Sequence, residues 1–128
     1  MKLTVFSLSI AAAFSGSFAV AAVTETVDSA DGSVIAASDN GMTLYTFRKD
    51  TAGASSCYDA CAGNWPPFLT SADNKAMVDG DLTVIERTDG TYQWAIKGMP
   101  LYFFAGDAAK GDAKGDGVKE VWDAVRPN

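Results

Sequence analysis

The chain has 128 residues, with 16 acidic and 10 basic side chains, a formal net charge of −6 and no histidine. Without histidine there is no imidazole general base, no Ser/His/Asp or Cys/His nucleophile, no haem held by histidine and no imidazole metal ligand. The negative charge repels nucleic acid and anionic lipid headgroups, so we expect no nucleic-acid partner. These exclusions remove most familiar hydrolases and metalloenzymes and favour a protein that is not an enzyme.

Residues 1–21 are predicted to form a secretory signal peptide that is cleaved. Lys2 precedes an apolar run from Leu3 to Phe14 and then small residues, the three-part layout of such a peptide. Serines and a glycine interrupt the run, which is short for a bilayer span of about 20 residues. Cleavage after Ala21 leaves a mature chain of residues 22–128, and a start at Val20 also satisfies the small-x-small rule. No cysteine lies near the junction, so we expect a periplasmic or secreted protein without a stable membrane anchor.

The mature chain contains the same segment twice. A shift of 57 positions aligns Gly41–Trp65 with Gly98–Trp122 without a gap, and nine of the 25 aligned pairs are identical. An internal duplication explains this identity. Upstream of this block the offset is 58, so one extra residue is expected before the glycine of the first copy. The predicted organisation is a single domain made of two repeats, about 23–70 and 80–128.

Each copy is predicted to form three short strands separated by two turns. In the first copy, Asp31-Gly32 is a two-residue hairpin signal, Ser33–Ala37 is a strand, Asn40-Gly41 is a turn and Met42–Phe47 is the third strand. The corresponding segments of the second copy are Asp89-Gly90, Thr91–Ile96, Lys97-Gly98 and Met99–Phe104. The fold class is therefore expected to be mainly β, a small pseudo-symmetric domain of short antiparallel strands with minor helical turns.

The third strand of each copy is apolar on both faces. In the first copy Leu44 and Thr46 point to one face while Tyr45 and Phe47 point to the other, because side chains alternate with a period of two. Such a pattern is typical of a strand that is covered on both sides. We therefore expect the third strands to lie at the centre of the sheet.

The segments that follow the third strands differ between the copies. In the first copy, SSCYDACAGNW is predicted to hold a helical turn or two, with Ser56 as N-cap and Gly63 as the stop. In the second copy, GVKEVWDAV fits a short helix or a strand, and the pattern does not decide between them. Between the copies, Pro66-Pro67 opens a connector because proline prevents helix continuation.

The repeated boxes carry a family resemblance. Two YxFxxD boxes are formed by Tyr45, Phe47 and Asp50 and by Tyr102, Phe104 and Asp107. CYDACAGNWPPF follows the first box and GDAAKGDAKGDGVKEVW follows the second. In these motifs and their order the chain resembles the bacterial secreted-repeat family, whose exported members are often lipoproteins, share a Yx(F/W/Y)xxD motif and have no established biochemical function. The resemblance implies export, although this chain lacks the lipid-acceptor cysteine of the lipoprotein members.

Three interpretations compete for Cys57 and Cys61, the two cysteines of the chain. An even number in an exported protein favours a structural disulfide, and on a regular helix the two Cα atoms would lie about 6 Å apart, within disulfide range. A reversible redox pair usually has two intervening residues and a basic environment, whereas the neighbour here is Asp59. A Cu(I) site would need a third ligand from Met42, Met77 or Met99, and no spacing selects one of them.

The loop after the second box is rich in carboxylates and glycine. Asp107, Asp112, Asp116 and Glu120 could supply oxygen ligands to Ca²⁺, which takes six to eight of them at about 2.4 Å. Lysines interleave these carboxylates, and the pattern does not fit an EF-hand, so a solvated loop is the competing interpretation. We expect no cofactor.

The mature chain is rich in aromatic residues, which a small β domain needs in order to bury enough area. We interpret most of them as core, with a groove for a peptide, glycan or quinone-like ligand as the alternative. Asp50 and Asp107 are interpreted as turn or cap residues whose carboxylates accept backbone N–H bonds. A paired acid/base role for these two carboxylates is the competing interpretation.

The function predicted from these observations is that of an exported, non-enzymatic domain that binds or scaffolds an envelope or extracellular partner. Two alternatives remain: a periplasmic redox or copper-handling protein acting through the CxxxC pair, and a Ca²⁺-dependent adhesion module. The shared boxes are interpreted as structural. Positions where the copies differ are therefore the better place to look for function.

Overall fold

The computed structural model describes residues 22–127, so the predicted signal peptide lies outside the described residues. The strands in chain order are β1 Thr24–Ser29, β2 Gly32–Ala37, β3 Tyr45–Phe47, β4 Leu69–Thr70, β5 Leu82–Glu86, β6 Tyr92–Ile96, β7 Met99–Pro100 and β8 Trp122–Ala124. Within this described range one α-helix, α1, spans Ala60–Asn64, and 3₁₀ turns span Ala72–Asn74 and Val118–Glu120. This confirms the mainly β prediction with minor helical turns. Over residues 22–127 no helix is long and apolar enough to cross a membrane.

The first turn of each copy differs from the two-residue Asp-Gly hairpin that was predicted. Ser29 pairs with Gly32, so the first turn consists of Ala30-Asp31 and lies one residue upstream of the predicted position. In the second copy the Arg87 N–H donates to the Thr91 carbonyl, which leaves a three-residue turn. The carboxylate of Asp89 accepts from both the N–H and the hydroxyl of Thr91, at 3.0 and 2.6 Å, and this stabilises the longer loop.

The second turns differ in the opposite direction. In the first copy Ala37 donates its N–H to the Met42 carbonyl, so four residues form the turn. In the second copy Ile96 pairs with Met99, and only Lys97-Gly98 lies between them. The one extra residue predicted in the first copy is therefore a net difference: its first turn is one residue shorter and its second turn is two residues longer.

The third strands pair with each other at the centre of the fold. The Tyr45 N–H donates to the Tyr102 carbonyl at 2.8 Å and the Tyr102 N–H donates to the Tyr45 carbonyl at 3.0 Å. This reciprocal pair relates the copies by a pseudo-twofold axis. Leu44 and Leu101 lie in one hydrophobic cluster, whereas Tyr45 and Tyr102 lie in the other, and all four are fully buried. The prediction that these strands are covered on both sides is confirmed, although regular strand geometry is limited to Tyr45–Phe47 and Met99–Pro100.

The end of each copy completes the sheet of the other copy. Strand β8 at the end of the second copy pairs with β3 of the first, in the register Tyr45 to Ala124. Conversely, β4 at the end of the first copy pairs with β6 of the second, and Pro67 forms a bridge to Tyr102. Neither repeat therefore forms all of its backbone pairs from its own residues.

The segments that precede the two equivalent tryptophans have different secondary structure. The helix of the first copy begins at Ala60 rather than directly after Ser56, because Ser56 donates its N–H and its hydroxyl to Asp50 instead of capping a helix. The helix also continues through Gly63, the predicted stop, and ends at Asn64. The GVKEVWDAV segment forms the 3₁₀ turn Val118–Glu120 and then strand β8, so it contains both of the structures that its pattern allowed.

Candidate functional site

The tyrosine of each YxFxxD box is hydrogen-bonded to the aspartate of the other box. Tyr45 Oη donates to Asp107 Oδ2 at 2.6 Å, and Tyr102 Oη donates to Asp50 Oδ2 at 2.6 Å. The second oxygen of Asp50 accepts the Ser56 N–H at 2.7 Å, and that of Asp107 accepts the N–H of the residue seven positions later at 2.9 Å. These backbone bonds are of the kind expected from the sequence, but the tyrosine partners were not expected. Each carboxylate is held by a different tyrosine.

Both tyrosine hydroxyls are held in the protonated form. Burial raises the pKa of Tyr45 and of Tyr102, and the hydrogen bond to a carboxylate raises the pKa of each further. A Gly115 N–H donates to Tyr45 Oη at 3.2 Å and opposes the shift, as Ser55 does at Tyr102. At neutral pH the boxes are therefore donor–acceptor pairs that link the two copies.

Four aromatic rings form a continuous stack across the pseudo-twofold axis. The order is Phe47, Trp122, Trp65 and Phe104, with ring centroids 4.2, 3.8 and 4.4 Å apart. The two tryptophans are equivalent residues of the repeat, and their ring planes differ by 4°. Each indole has a ring on both of its faces, so only the indole edges are available to anything outside the stack.

A groove of about 340 Å³ opens beside this stack. We call it the axial groove, and it is lined by Phe47, Lys49, Ala60, Cys61, Asn64, Trp65, Val118, Lys119, Val121 and Trp122. Three of its lining pairs are equivalent positions of the two copies: Cys61 and Val118, Asn64 and Val121, and Trp65 and Trp122. The groove therefore lies on the pseudo-twofold axis, between the segments that precede the two tryptophans.

The walls of the axial groove combine positive charge with strained backbone. Lys49 and Lys119 line the groove, and neither forms an ion pair with any residue in the described part of the chain. Asp59, Lys119 and Glu120 have φ values of 54°, 52° and 60°, a region that residues other than glycine seldom adopt. Lys119 lines the groove, Glu120 follows it in the chain, and Asp59 directly precedes the lining residue Ala60. Backbone strain of this kind concentrates at functional sites.

The comparison with known families follows the same division into repeats. A model of the family described as a secreted repeat of unknown function matches residues 25–68 and 83–126. The chain belongs to this family. Each match covers one hairpin, one YxFxxD box and one stacked tryptophan, so the stack and the reciprocal boxes are built from the matched repeats of this secreted-repeat protein. Comparisons with curated proteins and with solved structures found no match.

The two cysteines of this secreted-repeat protein form a disulfide, as the even number of cysteines predicted. Cys57 and Cys61 are joined, with Cα atoms 5.3 Å apart, closer than the spacing on a regular helix because Cys57 precedes α1. Cys57 is fully buried, whereas Cys61 is half-buried and lines the axial groove. The methionines considered as copper ligands, Met42, Met77 and Met99, are not among the groove residues.

Sequence reasoning missed Arg87, which holds the segment around the disulfide. This arginine is 3% exposed and donates to the Cys57 carbonyl at 2.7 Å and to the Gln93 side chain at 2.8 Å. Its guanidinium also lies over the Tyr58 ring, 4.2 Å from the centroid. The position equivalent to Arg87 in the first copy is Ser29, and this difference between copies is the signal that could have drawn attention to it.

The four residues proposed as calcium ligands are not brought together. Asp112 accepts the N–H groups of Ala108 and Ala109 at 2.9 and 3.0 Å, and these bonds lower the pKa of its carboxyl. Asp116 accepts the Ala124 N–H and forms an ion pair with Arg126. Asp107 accepts the hydrogen bond from Tyr45. Glu120 lies on the backbone turn beside the groove. Over residues 22–127 no group of three or more acidic or cysteine side chains could hold a metal ion. These carboxylates instead organise the loop.

Proposed function

We propose that this secreted-repeat protein is a non-enzymatic binding domain, acting in the periplasm or outside the cell, and that the axial groove is its binding site. The observation that carries the proposal is a groove on the pseudo-twofold axis with an aromatic floor and two lysines that form no ion pair within residues 22–127. Ligand sites are commonly apolar clefts of about 300–1,000 Å³ with a few polar groups, and this groove has that composition.

Binding fits the groove better than catalysis does. Its lining side chains include no carboxylate, hydroxyl or imidazole, so the groove offers no oxygen nucleophile and no carboxylate or histidine base. The tyrosines of the boxes are engaged with carboxylates, and burial raises the pKa of both hydroxyls. A partner held by this surface would be bound without chemical change.

A groove-filling variant tests the proposal. Val118→Trp places a large side chain in the axial groove, and Val78→Trp adds the same side chain at a position that is 70% exposed on the connector. The wild-type chain and both variants would be immobilised in equal amounts and exposed to an extract of the cell envelope. We expect the wild type and Val78→Trp to retain the same small molecule or protein and Val118→Trp to lose it. Equal retention by all three chains would show that the groove is not the binding site.

A redox role is the second candidate, and one observation favours it. The half-buried Cys61 lines the same groove as Lys49 and Lys119, and nearby cations stabilise a thiolate. The disulfide would accept two electrons and two protons from a partner dithiol, which would become a disulfide. The double variant Cys57→Ser, Cys61→Ser separates the candidates, since it should leave the retained partner unchanged if the groove only binds and should abolish function if the disulfide reacts.

A further inference from the structure

We infer that the axial groove takes a small organic carboxylate with an apolar body. This inference rests on the proposed function and adds the chemical class of the ligand.

The polar side chains of the groove are almost entirely hydrogen-bond donors. Lys49 and Lys119 can only donate, the indole N–H groups of Trp65 and Trp122 can only donate, and Asn64 supplies the single side-chain acceptor. A ligand that satisfies this set must bring acceptors. A carboxylate is acceptor-only and carries the charge that complements two ammonium groups.

The aromatic stack makes the groove unsuitable for a sugar face. A sugar or a planar base binds to aromatic side chains by lying on a ring face, but both faces of Trp65 and of Trp122 are covered by neighbouring rings. The groove therefore meets the edges of these indoles. Ring edges carry the positive part of the aromatic quadrupole, so they too favour a ligand with negative charge.

The charge of the whole chain limits the size of the anion. The formal net charge is −6, so a large polyanion would be repelled by the surface around the groove. A small anion meets mainly the charges nearest the groove, which are Lys49 and Lys119 in its lining and Asp59 and Glu120 at its border, because charges beyond about 8–10 Å are screened at physiological salt. A volume of about 340 Å³ is at the low end for ligand sites and also indicates a small molecule.

The polar groups of the groove are where the two repeats differ. Lys49 corresponds to Gly106, Lys119 to Ala62, and Asn64 to Val121. In contrast, the stacked rings beside the groove are identical in the two copies. The fold explains why the rings are repeated, since each copy supplies half of the stack. The fold does not require Lys49, Lys119 or Asn64, because the equivalent positions of the other copy have no such polar groups. A ligand with a polar end and an apolar end explains why these groups occur in only one copy each.

Benzoate and its neutral analogue benzamide test this inference on the mature chain. The chain has three tryptophans, so an NMR spectrum of the indole N–H groups has three signals. Trp65 and Trp122 line the groove, while Trp94 lies in the other hydrophobic cluster and is an internal control. We expect benzoate to shift the first two signals and to bind about tenfold more tightly than benzamide, since hydrogen bonds to a charged group are about twice as strong as neutral ones.

Lysine variants identify the groups that recognise the charge. We expect Lys49→Met and Lys119→Met each to weaken benzoate binding about three- to tenfold and to leave benzamide binding unchanged. Lys75→Met, at an exposed lysine of the connector, should leave both unchanged. Hexanoate and hexanamide repeat the comparison with an aliphatic body.

The outcomes separate this inference from the proposed function. Equal binding of the acid and the amide would overturn the carboxylate inference and would leave the groove as a binding site. The inference also fails if neither benzoate nor hexanoate shifts the Trp65 and Trp122 signals. In that case the Val118→Trp retention experiment alone decides whether the groove binds a different kind of partner.

Discussion

Replacing Tyr102 by phenylalanine removes a hydroxyl that links the two boxes. Tyr102 is fully buried, Asp50 is 7% exposed, and the bond between them is 2.6 Å long. A hydrogen bond to a charged group contributes about 1.5–3 kcal/mol, and losing it leaves one oxygen of a buried carboxylate unpaired. The other oxygen keeps its two bonds to Ser56. We therefore expect Tyr102→Phe to lower the free energy of unfolding by about 2–3 kcal/mol and Tm by roughly 10 °C.

A double-mutant cycle measured by urea unfolding distinguishes pairing between boxes from pairing within a box. Tyr102→Phe combined with Asp50→Asn should show a coupling energy of about 1–2 kcal/mol, because the two side chains share one hydrogen bond. Tyr102→Phe combined with Asp107→Asn is the matched control, since Asp107 bonds to Tyr45 instead. The control effects should add to within about 0.5 kcal/mol.

The cycle requires coincident transitions by tryptophan fluorescence and circular dichroism, so that a single free energy of unfolding is defined. Two outcomes would refute the reasoning. One is a loss below about 0.5 kcal/mol for Tyr102→Phe, which is the range of ordinary surface substitutions. The other is the reverse coupling pattern, strong for Tyr102 with Asp107 and absent for Tyr102 with Asp50, which would mean that each box closes on itself.

Three further predictions concern the stack, the tyrosines and the disulfide. Trp65→Ala should cost about 3–5 kcal/mol because it removes the centre of the stack, and near-UV circular dichroism should lose its aromatic signal; a native spectrum would contradict the stack. Burial raises the pKa of Tyr45 and Tyr102, so their stabilisation is complete below the unfolded pKa of about 10 and is lost as pH rises above it. Absorbance at 295 nm should show two of the four tyrosines ionising only with alkaline unfolding, and four independent ionisations near pH 10 would be inconsistent with this. The double variant Cys57→Ser, Cys61→Ser should lose only about 2 kcal/mol in thermal unfolding, since the closed loop is short; failure to fold would mean that the bridge supports the whole chain.

The local pattern of the sequence was sufficient for several features. The period-two alternation around Tyr45 predicted a strand covered on both sides, because side-chain direction in a strand depends only on position along the chain. The spacing of Cys57 and Cys61 allowed a disulfide, since four residues of chain keep their Cα atoms within bonding range. The turn lengths were predicted less well, because a short segment with Asp-Gly can close as two or as three residues and the cross-strand register decides between them.

By itself the sequence determined that the fold is duplicated and mainly β, which residues are apolar and which side chains are repeated. Only the tertiary structure decided that Tyr45 binds Asp107, 62 positions away, and that Tyr102 binds Asp50 across 52 positions. The repeat pattern in the sequence is the same whether each tyrosine binds the aspartate of its own box or that of the other box, so periodicity does not identify the partner. The antiparallel pairing of the two third strands makes that choice, because it brings the end of each copy against the other. The same pairing stacks Trp65 on Trp122 and places two lysines that the alignment shows as mismatches beside one groove.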